Sequence, residues 1–372
     1  MYRPSLKSTW TLIILAVVSY GLYMWAEHSR VMVQREYFSE KLEASQLMAR
    51  AIGILRDFRI QKGVRIDEIN DPNLTALIGP QNSLITTGGG LLEDHITGLN
   101  PNVAGMAVAL LKEAGLEEGD AVAVAVTGSN PGVNLAFYSA MTVLRLKPVI
   151  ITSVGSASWG ANNPDFTWLD MERVLYDRGI FPFHSIAASL GGGNDMGMRL
   201  SERGRQEITE DVAKNELILI NEANLRSSID AWAKLFHEHG PKSPYATYIN
   251  IGESEASLGD PRNGKLIPDG YNLRIPPRNY PAQGLIHRFS EQGCSVLNIH
   301  DISALAERFD LPQAPVPTPP VGEGGIFHAI RYDRTVTAAA VVILFVILIA
   351  LILLDARLFR MRDEGVDPDT LM

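Results

Sequence analysis

The chain has 372 residues and a net charge of −9, and 46% of its residues are hydrophobic. This length accommodates one large domain or two small ones. The acidic balance argues against nucleic acid as a partner, because a phosphate-binding surface needs a basic field. The single cysteine, Cys294, excludes an intrachain disulfide. The chain contains no CxxC or HExxH motif, so we predict neither a metal site nor a cofactor.

The first hydrophobic segment, residues 10–26, is close to the lower length limit for a transmembrane helix. Arg3 and Lys7 precede it, which places residues 1–9 in the cytoplasm by the positive-inside rule. A cleaved signal peptide is the alternative, but the bulky Trp25 in the Met-Trp-Ala stretch fits the small-residue cleavage pattern poorly. We therefore predict an uncleaved membrane anchor.

The second hydrophobic segment, residues 335–354, contains about twenty residues without a charge, the length that crosses a hydrocarbon core. Arginines follow it, so residues 355–372 are predicted to form a cytoplasmic tail. Two spans with both termini in the cytoplasm place the intervening domain outside. Long loops cross the membrane largely regardless of their charge. We thus predict a two-pass protein of the cytoplasmic (inner) membrane with an extracytoplasmic, or periplasmic, main domain.

Two shorter regions connect the spans to the domain. Residues 27–62 are predicted to contain a helix from about Arg30 to Phe58, since its apolar residues recur at helical spacing. This helix is either a stalk or the first core helix of the domain. Residues 313–334 are rich in proline and glycine, which predicts an extended linker that holds the domain off the bilayer.

The main domain, residues 63–312, alternates short apolar runs with helical patterns. Such alternation predicts an α/β fold with a mostly parallel, Rossmann-like sheet flanked by helices. The continuous apolar run of residues 121–126 is typical of a strand buried on both faces. The predicted strands are residues 121–126, 148–154, 184–190, 217–221, 246–251 and 295–299.

Candidate functional residues follow these strands, because parallel sheets bind ligands beyond the carboxyl ends of their strands. In TGSNPGVN (Thr127 to Asn134), a helix predicted from Val133 would offer its free N–H groups to an anion. A tight connection that binds nothing is the alternative. The loop differs by one residue from the G-x-S-x-G motif of hydrolases, which suggests Ser129 as a nucleophile.

Two further loops complete the predicted site. Residues 153–168 form a polar rim, and SLGGGNDMG (Ser189 to Gly197) presents Asp195 in a flexible turn as a general base or cation ligand. Glu253 and Glu255 reach the same edge, where ordinary surface charge is the simpler interpretation. The candidate catalytic residues are Ser129 and Asp195, and the predicted ligand-binding residues are Thr127, Gly128, Asn130, Gly132, Asn134, Ser156, Ser158, Asn162, Gly192, Gly193 and Asn194.

Four stretches of the chain carry a family resemblance: ITTGGGLLEDHITGLNPNVAGM, VTGSNPGVN, SVGSASWGANNPDFTWLDME and SLGGGNDMG. They resemble the family named poly-gamma-glutamate system protein, over about Leu84 to Gly259 and the hydrophobic flanks. Members of that family are encoded with a Mur-ligase-like synthetase and small membrane subunits that make and export poly-γ-glutamate. The resemblance implies a place in the synthesis or export of this capsule-like polymer, and it implies no catalytic residues.

Three functions are compatible with this sequence. The first is a membrane-anchored accessory protein whose outer domain binds poly-γ-glutamate or a glutamyl end. The second is a γ-glutamyl hydrolase or transferase that trims or releases the polymer. The third is a non-catalytic structural partner of the synthetase membrane subunits.

Overall fold

A computed structural model of the protein describes residues 8–363, so the predicted tails at 1–9 and 355–372 lie largely outside the described residues. The chain divides into two compact units. Residues 35–327 form the larger unit, and the residues before and after them form the smaller one. Each unit is described below by itself.

The helices and strands are numbered in chain order. The helices are α1 (Thr9–Glu27), α2 (Phe38–Gln61), α3 (Leu92–Gly98), α4 (Val103–Glu113), α5 (Pro131–Val143), α6 (Trp168–Asp177), α7 (Glu202–Lys214), α8 (Leu225–His239), α9 (Glu255–Leu258), α10 (Asn263–Leu266), α11 (Leu285–Glu291), α12 (Ile302–Arg308) and α13 (Arg334–Asp363). The strands are β1 (Arg30–Gln34), β2 (Thr86–Gly88), β3 (Ala121–Thr127), β4 (Lys147–Ser153), β5 (Ser156–Ala157), β6 (Asn162–Asn163), β7 (Phe166–Thr167), β8 (Ala187–Ser189), β9 (Ile218–Ile220), β10 (Thr247–Ile251), β11 (Gly270–Asn272), β12 (Ser295–Ile299) and β13 (His328–Tyr332).

The smaller unit is a helical hairpin on a two-stranded ribbon. Strand β1 pairs antiparallel with β13, and Arg30 lies opposite Tyr332. Helix α1 ends just before β1 and α13 begins just after β13, so both helices leave the same end of the ribbon and pack together. Both are long and apolar enough to cross a membrane. The start of α1 and the end of α13, which are the helix ends farther from the ribbon, therefore lie on the same side of any membrane that both helices cross.

The region after α1 differs from the predicted continuous helix. Residues 30–34 form β1, and α2 begins only at Phe38. The β-branched valines on either side of Met32 favour a strand, and Tyr37 with φ 57° separates it from the helix. Helix α2 packs on α4 and α5 and buries Met48 and Leu55 completely. It is thus a core helix of the larger unit, which favours that interpretation over a free stalk.

Residues 313–327 are attached to the larger unit, whereas the sequence predicts an extended linker over residues 313–334. Asn102 Nδ2 donates to Pro320 O at 3.0 Å, and Asn102 Oδ1 accepts from Gly322 N at 3.0 Å. The Phe327 side chain is fully buried, and the residues that follow it form β13. Proline and glycine fix the path of this segment, but buried hydrogen bonds and apolar contacts hold residues up to 327 against the larger unit.

The larger unit contains a mixed sheet of seven strands in the order β11-β12-β10-β3-β4-β8-β9. Six strands are parallel, and only β11 at the edge is antiparallel. This confirms the predicted α/β class with a mostly parallel sheet flanked by helices. The core lies on both faces, with Trp168 buried on one and Trp232 on the other.

All six predicted strands are present, but several are shorter than expected. Strands β8 and β9 have three residues each, and β8 pairs over three residues with both β4 and β9. After β9 the chain returns to place β10 on the other side of β3. The gap between β3 and β10 is therefore the point where the strand order reverses, and ligands of such sheets bind there.

Candidate functional site

The site begins at the carboxyl ends of β3 and β10. Thr127 ends β3, and Gly252 follows β10 with φ 91°. A Cβ atom on Gly252 would lie only 2.3 Å from Thr127 Oγ1, so the close approach of the two loops requires glycine. Thr127 and Gly128 are both buried at this junction. They lie where the two loops meet, at the edge of the sheet where ligands of parallel sheets bind.

A third loop, residues 86–90, covers one side of this edge. Strand β2 pairs with β5, and Ser158 N donates to Gly88 O at 2.9 Å. A Cβ atom on Gly192 would lie 2.8 Å from Thr87 Cγ2, so the loop after β8 reaches the same place. We call this convergence of the loops after β2, β3, β4, β8 and β10 the edge crevice.

Ser129 stands half-buried in the edge crevice. Its Oγ accepts a hydrogen bond from Ala157 N at 3.1 Å, and its own N–H donates to Thr127 Oγ1 at 3.3 Å. Within residues 8–363, no histidine, lysine or carboxylate hydrogen-bonds this hydroxyl. A serine nucleophile needs an adjacent base, so the geometry gives the nucleophile hypothesis no support.

The N-terminus of α5 is closed, in contrast to the predicted anion site. Asn130 Oδ1 caps the helix by accepting from Val133 N at 3.2 Å. A Cβ atom on Gly132 would lie 2.5 Å from the carbonyl of Gly98, so α3 covers the first turn. Asn134 is buried and donates through Nδ2 to Thr127 O at 2.8 Å. The alternative of a tight connection between strand and helix fits this terminus better.

Three predicted rim residues brace the loops. Ser156 Oγ donates to Gly128 O at 2.9 Å, and Ser158 Oγ donates to Gly88 O at 3.3 Å. Asn162 Nδ2 donates to Pro80 O at 2.8 Å. All three side chains are buried. They fix the shape of the edge crevice, and a direct ligand contact from them stays a prediction.

Asp195 lies in the protein interior, so the prediction of a flexible turn is wrong. Its Oδ1 accepts from Ser189 Oγ at 2.6 Å and Ser153 Oγ at 3.1 Å. Its Oδ2 accepts from Ser228 Oγ at 2.5 Å and Trp232 Nε1 at 3.0 Å. Burial raises the pKa of Asp195 to about 6. The carboxylate joins two strands to α8, and its four donors leave it little capacity to act as a base or ligand.

The outer part of the edge crevice is charged, although the sequence indicated only ordinary surface charge there. The Arg199 and Glu253 side chains are exposed, whereas those of Glu255 and His300 are only 11% and 10% exposed. Glu255 Oε2 accepts from the backbone N of Asn194 at 2.6 Å, and Glu255 Oε1 lies 3.9 Å from Arg199 Nη2. Glu253 Oε1 lies 3.0 Å from His300 Nε2. The contact with His300 lowers the pKa of Glu253, whereas burial raises that of Glu255.

The loop after β8 is the accessible one among the predicted ligand-binding segments. Gly192 and Gly193 are half-buried and Asn194 is exposed. Arg199 and His300 were not predicted. Their positions could have indicated a role in the site, because Arg199 follows β8 and His300 directly follows β12 at the same sheet edge.

The edge crevice therefore presents basic and acidic side chains together on a polar, glycine-lined surface. Among residues 8–363, no group of three or more histidine, cysteine, aspartate or glutamate residues could hold a metal ion. Comparisons with protein-family models, curated proteins and solved structures give no match to this chain.

Proposed function

We propose that this chain is a membrane-anchored accessory component of poly-γ-glutamate synthesis or export, and that its outer domain binds a glutamyl end. The motifs that resemble the poly-gamma-glutamate system protein family support the pathway. The helical hairpin and the basic flanks at Arg3, Lys7 and Arg357 support a two-pass arrangement with both termini cytoplasmic. On this proposal, the Rossmann-like sheet presents its edge crevice outside the cell membrane.

The paired opposite charges of the edge crevice carry this proposal. The amino-terminal residue of a γ-glutamyl chain has a free ammonium group beside its α-carboxylate. Glu253 and Glu255 suit the ammonium, and Arg199 suits a carboxylate. An internal stretch of the polymer carries only carboxylates, which the two glutamates would repel. The charge pattern therefore favours the chain end over its middle.

Binding is favoured over cleavage by the surroundings of the two candidate catalytic residues. Ser129 Oγ has no hydrogen-bonded base within the described chain, and Asp195 is saturated by four donors. A γ-glutamyl hydrolase or transferase would need at least one of them to be free. The synthetase membrane subunits are the proposed partners of the two hydrophobic helices.

Calorimetry on the full chain in detergent tests the proposal with a synthetic γ-glutamyl pentamer. We expect the pentamer with a free amino end to bind at least tenfold more tightly than its N-acetylated form, because acetylation removes the ammonium charge. Glu255→Gln and Arg199→Gln should each weaken binding about tenfold, or about 1.4 kcal/mol.

Arg203→Gln is the matched control, because Arg203 is an exposed arginine that pairs with Glu207 on α7 at 3.4 Å. This variant should bind as the unaltered chain does. Equal affinity for the free and acetylated pentamers, or the absence of binding at low salt, would overturn the proposal of a glutamyl-end site.

A further inference from the structure

A second concave site lies between α2, α6 and the end of α7. It is a pocket of about 580 Å³, within the usual size of small-molecule sites. Phe58, Arg59 and Lys62 line it from α2 and its C-terminal end, Phe166 from β7, and Val174 from α6. The charged residues of the edge crevice, Arg199, Glu253, Glu255 and His300, are not among its lining residues. We call it the α2–α6 pocket.

The lining of this pocket is basic, although the chain as a whole carries a charge of −9. Four lining residues are lysine or arginine and two are aspartate. Lys214 pairs with one of these aspartates, Asp170, and Arg173 pairs with Asp177 at 3.0 Å. Within residues 8–363, Arg59 and Lys62 have no carboxylate oxygen within 4.0 Å. Asp71 acts on Arg59 electrostatically, and Lys62 Nζ lies 5.6 Å from the Phe58 ring centroid, but neither cation is held in an ion pair that would exclude an anion.

Arg59 is the main indication of a ligand. Arg59 is only 8% exposed, and its Nη1 donates a hydrogen bond to the carbonyl of Ala76. Its Nε is buried without a hydrogen-bond partner in the described chain. Burial lowers the pKa of Arg59, which reflects the cost of holding this charge away from water. A buried cation with an unused donor is stabilised strongly by an anion.

The other wall of the pocket is apolar. The rings of Phe58 and Phe166 stack with centroids 5.6 Å apart, and the Arg59 guanidinium lies 5.5 Å from the Phe166 centroid. Val174 adds an aliphatic surface. A small inorganic anion would use only the basic part of this lining. The combination fits a molecule with an anionic head and a compact apolar body.

We infer that the α2–α6 pocket binds an organic carboxylate whose head contacts Arg59 and Lys62 and whose apolar body packs on Phe58, Phe166 and Val174. The site is separate from the edge crevice and its existence does not depend on recognition of a glutamyl end. It gives the larger unit a second ligand, of a more hydrophobic class than a glutamyl residue.

Fluorine NMR on the full chain in detergent tests this inference with 4-fluorobenzoate as the probe. The neutral 4-fluorobenzamide has nearly the same shape, and detergent without protein corrects for partitioning of both probes. We expect saturable line broadening for the benzoate and at least tenfold weaker binding of the benzamide. Equal binding of the two probes would overturn recognition of the carboxylate.

Variants then locate the site. Arg59→Gln should abolish detectable benzoate binding. Lys62→Glu reverses a charge at an exposed position and should weaken binding at least tenfold. Arg199→Gln, in the edge crevice, and Arg203→Gln should both leave benzoate binding unchanged. Unaltered affinity in folded Lys62→Glu, or loss of benzoate binding in Arg199→Gln, would contradict this location.

Discussion

Replacing Asp195 with alanine is expected to lower the free energy of unfolding by about 3 kcal/mol or more. The change leaves Trp232 Nε1 and Ser228 Oγ without their acceptor in the interior. It also places alanine at φ 61°, a conformation that aspartate and asparagine tolerate better. Urea titration of the full chain in detergent, followed by tryptophan fluorescence, measures the loss.

Asp195→Asn separates packing from charge. The amide oxygen can still accept from Trp232, and the amide nitrogen can donate to the Ser153 and Ser189 hydroxyls. We expect a loss of only about 1 kcal/mol. Asp165→Ala, at an exposed position, is the control and should change little. Wild-type stability in Asp195→Ala would contradict the structural role. A folded Asp195→Asn that abolished cleavage of a γ-glutamyl chain would favour the enzyme hypothesis instead.

The second large effect concerns Glu172, a buried residue of α6. Tyr138 Oη donates to its Oε1, and Ser185 Oγ donates to the same oxygen at 3.0 Å. Burial raises the pKa of Glu172 to about 7, from 4.5. The folded state therefore holds this proton more tightly than the unfolded state. The contribution of Glu172 to stability is greatest below pH 4.5 and falls as pH rises to about 7, by about 3 kcal/mol in total.

Glu172→Gln removes this titration and keeps an acceptor for both hydroxyls. Asp195 and Asp211, with pKa values of about 6, titrate in the same direction and continue to do so in the variant. The useful quantity is thus the difference in unfolding free energy between variant and wild type, measured from pH 5 to pH 8. We expect the variant to gain relative stability as pH rises. A difference that does not change with pH would contradict a protonated, buried Glu172.

The parallel sheet was predictable because its strands are short, apolar and buried on both faces. The position of the polar loops was also predictable, because the carboxyl ends of parallel strands lie at the same edge of the sheet. The pairing of β1 with β13 was not predictable, because about 300 residues separate the partners and neither strand alternates clearly. The attachment of the proline-rich segment before β13 to the larger unit was not predictable either, because its hydrogen bonds to Asn102 form only in the completed fold.

The candidate site, too, could be predicted only in part from the sequence. SLGGGNDMG has the composition of a flexible loop, yet donors from β4, β8 and α8 enclose Asp195. Ser153 and Ser189 were expected at this edge, because they end parallel strands, but nothing in the sequence indicated that Ser228 and Trp232 of α8 would reach the same carboxylate. Conversely, Glu253 and Glu255 have the sequence appearance of ordinary surface charge. Their pairing with His300 and Arg199 arises only when the loops after β8, β10 and β12 meet.

Hydrogen–deuterium exchange on the full chain, with and without the free γ-glutamyl pentamer, tests the glutamyl-end site most directly. Ligand contacts in the edge crevice should slow exchange at residues 192–199 and 252–256, and leave residues 58–64 of the α2–α6 pocket unchanged. The N-acetylated pentamer should give much weaker protection. Unchanged exchange at both edge segments under saturating pentamer, or protection confined to residues 58–64, would contradict the proposal.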